Sequence, residues 1–341
     1  MPSTPPLALF LGVTGPRLTA DEVAFLRDAN PFGLFLFARN LEDSEQVRRL
    51  TAEFRAAVGR ADAPVFTDEE GGRVQRLDPR RWPSFRSLGA FGALARQDLE
   101  LGKRAMRLST QAMGSLLAGL TIDSGTTPVV DLARRDTHDV IGQRSFGDDP
   151  ELVAIMGREI VEGMLEVGEL PVMKHIPGYG RVAVDPHFDC PAADATLEDL
   201  RGSDFRPFVA LRDCPWAMVA HMIFTQLDPD HAASVSPVLH RVIREELGYD
   251  GVLITDCLSM DALKGSVTSR VGAALAAGYD IALYSAGELA ANVEAAAAAR
   301  PLSEASLARI ARGEARRGRL RVDVAAVHAE VESIFRQSGL A

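Results

Sequence analysis

Cysteine is scarce in this sequence of 341 residues, which contains only Cys190, Cys214 and Cys257. Three widely spaced cysteines do not form a disulfide framework, and they lack the paired spacing of a zinc site. The sequence also has no His-x-His or His-Glu-x-x-His pattern and no glycine-rich signature for phosphate or dinucleotide binding. We therefore expect a protein of a reducing compartment that uses neither a metal ion nor another cofactor.

Long apolar runs and an excess of basic residues are also missing. No apolar stretch reaches the roughly 18 residues that a membrane-spanning helix needs. The first basic residue is Arg17, so the N-terminus lacks the basic region of a secretory signal. The net charge of −10 argues against binding to nucleic acid or to a membrane surface. We expect a cytoplasmic monomer with neither kind of partner.

Short apolar runs alternate with helical patterns along most of the chain. Apolar residues make up 47% of the sequence and charged residues 25%, which is the balance of a globular protein. The runs are apolar throughout rather than alternating, as in strands that are covered on both faces. These runs predict eight strands, at 7–12, 33–38, 64–68, 128–131, 170–175, 216–222, 251–256 and 281–285.

Helical patterns fill most of the gaps between the predicted strands. Helix starts are indicated by Thr19 with Glu22, by Asp43, and by Asp149 before Pro150. Longer helical patterns cover 92–118, 286–299, 303–317 and 322–336.

Eight strand–helix alternations predict an α/β fold, a (β/α)8 TIM-type barrel, with a doubly wound sheet as the alternative. Because no low-complexity linker interrupts the chain, we expect a single domain over 1–341. Its barrel core spans about 6–300, and C-terminal helices follow over about 301–338.

Polar residues close several of the predicted strands. The third strand ends at Asp68, the fourth at Asp131, the sixth at His221 and the seventh at Asp256, while the fifth ends in Lys174 and His175. Catalytic groups of α/β barrels lie at the C-terminal ends of the strands. The sequence therefore predicts one polar pocket at that end of the barrel.

A loop rich in glycine and proline follows the fifth predicted strand. Asp185 and His187 lie two residues apart in this loop, and Pro186 favours an extended backbone at Asp185. Side chains at positions i and i+2 of an extended segment point to the same side. Asp185 can therefore orient the His187 ring and raise its basicity, as in an acid/base dyad.

Several of these segments together resemble family 3 of the glycoside hydrolases, and within it the bacterial β-N-acetylhexosaminidases of the cytoplasmic peptidoglycan-recycling type. The segments run in order from about residue 6 to 285. They are LFLFARN (34–40), TDEEGGRVQR (67–76), GQRSFGDDP (142–150), KHIPGYG (174–180), DPH (185–187), AHM (220–222) and TDCLSM (255–260).

The resemblance implies a single-domain barrel enzyme that removes a terminal β-linked N-acetylglucosamine with retention of configuration. Its substrates would be N-acetylglucosaminyl-anhydromuramic acid and the peptide conjugates of this disaccharide. By matching position, Asp256 is the nucleophile, His187 the general acid/base and Asp185 its orienting partner. The resemblance also implies a set of residues that hold the sugar, namely Asp68, Arg76, Arg144, Lys174 and His175.

Three positions depart from the pattern of the resembled family. Tyr179 stands where a histidine is usual, Pro186 where a serine is usual, and Cys257 where an aspartate is common. Two alternatives remain open. One is a family 3 β-glucosidase or β-xylosidase, which usually carries a second domain with a glutamate acid/base. The other is a non-catalytic muropeptide-binding barrel.

Overall fold

Parallel strands curl around a central core in a computed structural model of the protein, which describes residues 5–135, 137–182 and 190–340. The strands are β1 (Leu7–Leu11), β2 (Pro31–Leu36), β3 (Val65–Thr67), β4 (Glu69–Gly71), β5 (Val74–Gln75), β6 (Val172–Ile176), β7 (Ala192–Ala193), β8 (Trp216–Val219), β9 (Ile223–Phe224), β10 (Val252–Cys257) and β11 (Ile281–Tyr284). Within the described residues one parallel sheet has the order β3-β2-β1-β11-β10-β8-β6. Seven of the predicted strands are therefore confirmed.

The fourth predicted strand, 128–131, is not a regular strand, and this prediction is wrong. Its segment bridges the two ends of the sheet through single pairings, Phe66 with Ser124 and Val129 with Lys174. Pro128 has no N–H to donate, and Thr126 has a φ of 46°. Both features interrupt a ladder of regular strand hydrogen bonds.

The irregular segment nevertheless closes the ring. The amide of Thr67 donates to the Ser124 carbonyl at 3.0 Å, and the amide of Lys174 donates to the Pro128 carbonyl at 2.9 Å. The segment thus takes the fourth place in the barrel, between β3 and β6. The fold is a (β/α)8 barrel as predicted, and a doubly wound sheet is excluded because such a sheet has open edges.

Helices cover the outside of the barrel. The α-helices are α1 (Ala20–Ala29), α2 (Ser44–Val58), α3 (Leu88–Gln97), α4 (Leu99–Gly119), α5 (Pro150–Glu166), α6 (Leu197–Gly202), α7 (Arg206–Ala210), α8 (Pro237–Arg241), α9 (Val267–Ala276), α10 (Leu289–Ala298), α11 (Glu304–Glu314) and α12 (Val324–Gln337). No helix among the described residues is long and apolar enough to cross a membrane.

The predicted helix starts at Thr19, Asp43 and Asp149 are confirmed, since each side chain accepts a hydrogen bond from the first turn of its helix. The pattern over 92–118 is divided between two helices. Asp98 ends α3, and its side chain then caps α4 by accepting from the Leu101 amide.

The two C-terminal helices, α11 and α12, pack against the rest of the chain. Phe335 of α12 is buried and meets Phe91 of α3 edge-on, with ring centroids 5.1 Å apart. Glu332 pairs with Arg86, and Ser306 of α11 donates to Asp280 at 2.7 Å. The expectation of a single domain over 1–341 stays a prediction.

Aromatic rings fill one part of the barrel interior. Phe10 lies 4.7 Å from Phe66 and 6.4 Å from Trp216, measured between ring centroids, and all three side chains are buried. Gly33 of β2 faces this cluster, and a Cβ atom at this position would overlap the Phe10 ring. The sequence therefore needs glycine here because the neighbouring strand places a large ring against it.

We expect Gly33→Ala to lower the free energy of unfolding by about 1–3 kcal/mol, because the added methyl group overpacks a rigid aromatic core. Gly272→Ala in α9 is the matched control, since a Cβ atom there meets nothing within 4 Å. That variant should be neutral or stabilising by up to about 1 kcal/mol. Urea unfolding of both variants measures the difference, and equal midpoints would contradict the packing argument.

Candidate active site

A cavity of about 430 Å³ opens at the C-terminal ends of the barrel strands. Its lining includes most of the residues that the sequence assigned to the site, namely Asp68, Arg76, Arg144, Lys174, His175 and Asp256. The polar pocket predicted from the strand ends is therefore present. Asp185, Pro186 and His187 lie outside the described residues.

Lys174, near the end of β6, is the most enclosed cation of the site, with 1% of its surface exposed. Its Nζ atom lies 3.0 Å from Asp68 Oδ1, 2.6 Å from Glu70 Oε1 and 3.0 Å from Thr126 Oγ1. Burial disfavours the ammonium, but the two carboxylates outweigh this effect and raise the pKa of Lys174. The lysine is thus held as a cation.

Asp68 follows β3 and accepts hydrogen bonds from three side chains. Arg76 donates to Oδ2 at 2.8 Å, while Thr126 donates to Oδ1 at 2.7 Å beside the Lys174 ammonium. Burial opposes ionisation, but Lys174 and then Arg76 more than compensate, so the pKa of Asp68 lies well below its usual range. Asp68 is therefore a fixed anion that can accept hydrogen bonds from sugar hydroxyls.

Glu70, on β4, is a site residue that the sequence did not single out. Its carboxylate accepts two bonds from Arg144, at 2.7 and 2.8 Å, in addition to its contact with Lys174. Burial opposes ionisation, yet Arg144 and Lys174 lower the pKa of Glu70 to about 2. Glu70 does not line the cavity, so it acts by holding two residues that do.

Asp131, which the sequence placed at a strand end but not in the site, is buried and orients the chain after β6. It accepts from His175 Nδ1 at 2.7 Å and from the Tyr179 amide at 2.7 Å. Arg144, which can only donate, lies 3.4 Å from His175 Nε2. These partners assign the His175 proton to Nδ1 and leave Nε2 as an acceptor.

Asp256 lies near the end of β10 and faces the same cavity. The Cys257 amide donates to its Oδ1 at 2.7 Å. His221, which is fully buried, supports this strand end because its Nε2–H donates to the Cys257 carbonyl at 2.9 Å, while the Ser234 hydroxyl donates to Nδ1 at 2.7 Å. Burial lowers the pKa of His221, in keeping with a neutral ring.

Two of the unusual positions noted in the sequence line the cavity. Tyr179 is buried, and its hydroxyl donates to the His221 carbonyl at 3.4 Å. Burial, with Asp256 next, raises the pKa of this phenol well above its usual value, so the phenol stays protonated. The Sγ atom of Cys257 lies 2.9 Å from the hydroxyls of both Ser259 and Ser285.

The sequence revealed some of the residues that support the site, but not all of them. Asp131 and His221 were visible as polar strand ends, but their partners were not. Glu70 lies beyond β3 on the β4–β5 hairpin, so the expectation that site residues end the barrel strands does not identify it.

Among the described residues, no group of three or more His, Cys, Asp or Glu side chains is arranged to hold a metal ion.

Comparisons with known proteins cover most of the chain. The family model described as the N-terminal domain of glycosyl hydrolase family 3 matches residues 9–313. A protein of Xanthomonas campestris pv. campestris named beta-hexosaminidase is 37% identical over 303 residues, which are 88% of this chain and 90% of the relative. A beta-hexosaminidase of Pseudomonas aeruginosa is 37% identical over 281 residues, which are 81% of each chain.

Solved structures show the same fold. The crystal structure of NagZ from Neisseria gonorrhoeae in complex with N-trifluoroacetyl-D-glucosamine matches with a TM-score of 0.87 at 27% identity, covering 98% of this chain and 99% of that one. A family 3 β-N-acetylglucosaminidase from Paenibacillus sp. matches with a TM-score of 0.82 at 27% identity, covering 96% of this chain and 67% of that one.

We expect Glu70→Gln to lower the free energy of unfolding by about 3 kcal/mol at pH 7, because it leaves two buried cations short of a counter-charge. The pKa of Glu70 falls from 4.5 to about 2 on folding, so its stabilising effect is complete above pH 4.5 and is lost as the pH falls toward 2. Denaturant unfolding from pH 7 to pH 3 should therefore show a difference from wild type that shrinks in acid.

Glu332→Gln is the matched control, since it breaks a partly exposed pair with Arg86 and should cost less than about 1 kcal/mol. An equal loss of unfolding free energy in Glu70→Gln and Glu332→Gln would contradict a buried network centred on Glu70. A loss in Glu70→Gln that does not change with pH would contradict it as well.

Proposed function

Because this chain belongs to glycosyl hydrolase family 3, as its motifs predicted, we propose that it is a retaining exo-β-N-acetylglucosaminidase. The relatives named beta-hexosaminidase support this type of glycoside hydrolase, and so does the likeness to a structure that holds an N-acyl glucosamine derivative. The observation that carries the proposal is that Asp256 shares one cavity with a fixed set of polar groups suited to sugar hydroxyls.

The proposed sugar site consists of Asp68, Arg76, Arg144, Lys174 and His175. Asp68 would accept hydrogen bonds from a pair of hydroxyls, while Lys174 and Arg144 would donate. Hydrogen bonds to charged groups are stronger than those between neutral groups. Since the cations and carboxylates already hold one another, the sugar would bind without moving them, which lowers the cost of binding.

Asp256 is the proposed nucleophile. A retaining glycosidase forms a covalent glycosyl–enzyme intermediate through a carboxylate, and water then releases the sugar. Asp256 would attack the anomeric carbon as the bond to the leaving oxygen breaks. Water would then attack the same carbon, so that two inversions give retention.

The proposed general acid/base is His187, with Asp185 as its orienting partner. Both assignments rest on the motif DPH, since these residues lie outside the described part of the chain. An imidazole that titrates near neutral pH can protonate the leaving oxygen and then accept a proton from water. Asp185 would stabilise the imidazolium between the two steps.

The proposed substrates are muropeptides, namely N-acetylglucosaminyl-anhydromuramic acid and its peptide conjugates. The proposed role is peptidoglycan recycling in the cytoplasm by a monomer that needs no cofactor. The motifs from 34–40 to 255–260 and the relatives named beta-hexosaminidase support this assignment.

We expect the protein to hydrolyse a chromogenic β-N-acetylglucosaminide much faster than the matching β-glucoside, without added metal. Asp256→Ala should lower kcat/KM on the order of 10³-fold or more, because it removes the attacking group. Asp62→Ala, at an exposed aspartate remote from the cavity, should keep wild-type turnover. Faster hydrolysis of the β-glucoside would favour a β-glucosidase, equal rates would contradict specificity for the N-acetyl sugar, and a folded protein inactive on both would favour a binding barrel.

His187→Ala should slow glycosides with basic leaving groups more than activated aryl glycosides, because a basic oxygen depends most on protonation. The measurement is kcat/KM for a series of aryl β-N-acetylglucosaminides whose phenols differ in pKa. The variant should show a steeper dependence on phenol pKa than wild type. A loss of equal size across the series would contradict the acid role of His187.

A further inference from the structure

The arginines that line the cavity fall into two groups. Arg76 pairs with Asp68 and Arg144 pairs with Glu70, so their charges are balanced inside the site. Arg39 and Arg73 also line the cavity, but in the part of the chain that the structure describes neither forms an ion pair. Both of these arginines are exposed at the mouth of the cavity.

Arg39 is fixed in place by neutral groups. Its Nη2 donates to the Ser285 carbonyl at 2.8 Å and its Nε donates to the Val13 carbonyl at 3.2 Å. Its guanidinium carbon lies 5.1 Å from the centre of the Phe37 ring. Carbonyl oxygens orient a guanidinium without cancelling its charge. Among the described residues none accepts from Nη1, so this nitrogen keeps its donors for a ligand.

Arg73 lies on the β4–β5 hairpin that also carries Arg76. Its Nη2 donates to the Asp139 carbonyl at 2.5 Å, again a neutral partner. The hairpin thus supplies both a balanced cation, Arg76, and an unbalanced one, Arg73, to the lining of the same cavity. Two oriented guanidinium groups without a counter-charge at one opening are unexpected in a chain whose net charge is −10.

We propose that Arg39 and Arg73 form a subsite for a carboxylate on the group that leaves, outside the sugar site. This inference rests on the proposed glycosidase function. The planar guanidinium matches a carboxylate in charge and in geometry, because it can donate two parallel hydrogen bonds. The sugar itself is neutral and would bind to the network in which Arg76 and Arg144 are paired with carboxylates. The unpaired charges of Arg39 and Arg73 at the mouth would instead suit an anionic leaving group.

The test compares 4-nitrophenyl and 3-carboxy-4-nitrophenyl β-N-acetylglucosaminide, which differ by one carboxylate on the leaving group. Arg39→Gln and Arg73→Gln should each lower kcat/KM about tenfold for the carboxylated substrate, mainly through KM. Each variant should change kcat/KM for the neutral substrate less than about twofold, because the sugar network is untouched. Comparing variants with wild type cancels the intrinsic difference between the two phenols.

Arg27→Gln is the control, since it removes an equal charge from an exposed site on α1. It should leave the ratio of the two substrates unchanged. Added salt should lower wild-type kcat/KM for the carboxylated substrate more than for the neutral one. If Arg39→Gln and Arg73→Gln slow both substrates equally, or neither, the carboxylate subsite is wrong while the proposed function stands.

Failure of the proposed function would be visible separately, as absence of hydrolysis of the neutral substrate by wild type. Binding of the two corresponding phenyl thioglycosides, measured by calorimetry, would then decide the inference. A wild-type preference for the carboxylated compound that Arg39→Gln abolishes would support the subsite. Equal affinities would overturn it.

Discussion

The site depends on one buried ammonium group, that of Lys174, which lies between the carboxylates of Asp68 and Glu70. Each carboxylate in turn holds an arginine, Arg76 on one side and Arg144 on the other. A buried charge without a partner costs several kcal/mol, so each member of this alternating row requires its neighbours. The row is therefore rigid for an electrostatic reason, and donors fixed in advance bind or stabilise a ligand without reorganising.

The barrel brings this row together because its strands end at a common edge. Lys174 lies near the end of β6 and Asp68 at the end of β3, while the segment between them supplies Thr126 and Asp131. That segment is the least regular part of the ring. This irregular backbone contributes to the site, because it places the Thr126 hydroxyl where it donates to Asp68 and accepts from Lys174. In a regular strand, the backbone here would form hydrogen bonds to the neighbouring strands. The Thr126 hydroxyl would then not be placed between Asp68 and Lys174.

The sequence predicted most of the barrel because its strands are continuous apolar runs, and it predicted a polar pocket because polar residues end those runs. It did not predict the break at Asp98, where the capping preference of one side chain overrides a continuous helical pattern. Nor did it reveal Glu70, whose partner Arg144 lies 74 residues away along the chain. Ion pairs depend on the folded arrangement, so no local pattern separates the balanced Arg76 from the unbalanced Arg73. The roles given to His187 and Asp185 stay predictions from their motif.

The carboxylates of the cavity are not equivalent, and the difference suits separate tasks. Asp68 has both oxygens occupied by cationic or hydroxyl donors, which spread its charge and weaken it as a nucleophile. Asp256 accepts a backbone amide at Oδ1, and in the described part of the chain nothing donates to its Oδ2. A carboxylate that attacks carbon needs an oxygen lone pair that is not already committed to a hydrogen bond. Pairing with cations would therefore suit Asp68 to hold a sugar, whereas the open oxygen would suit Asp256 for its proposed attack on the anomeric carbon. This division follows from which carboxylate the lysine can reach.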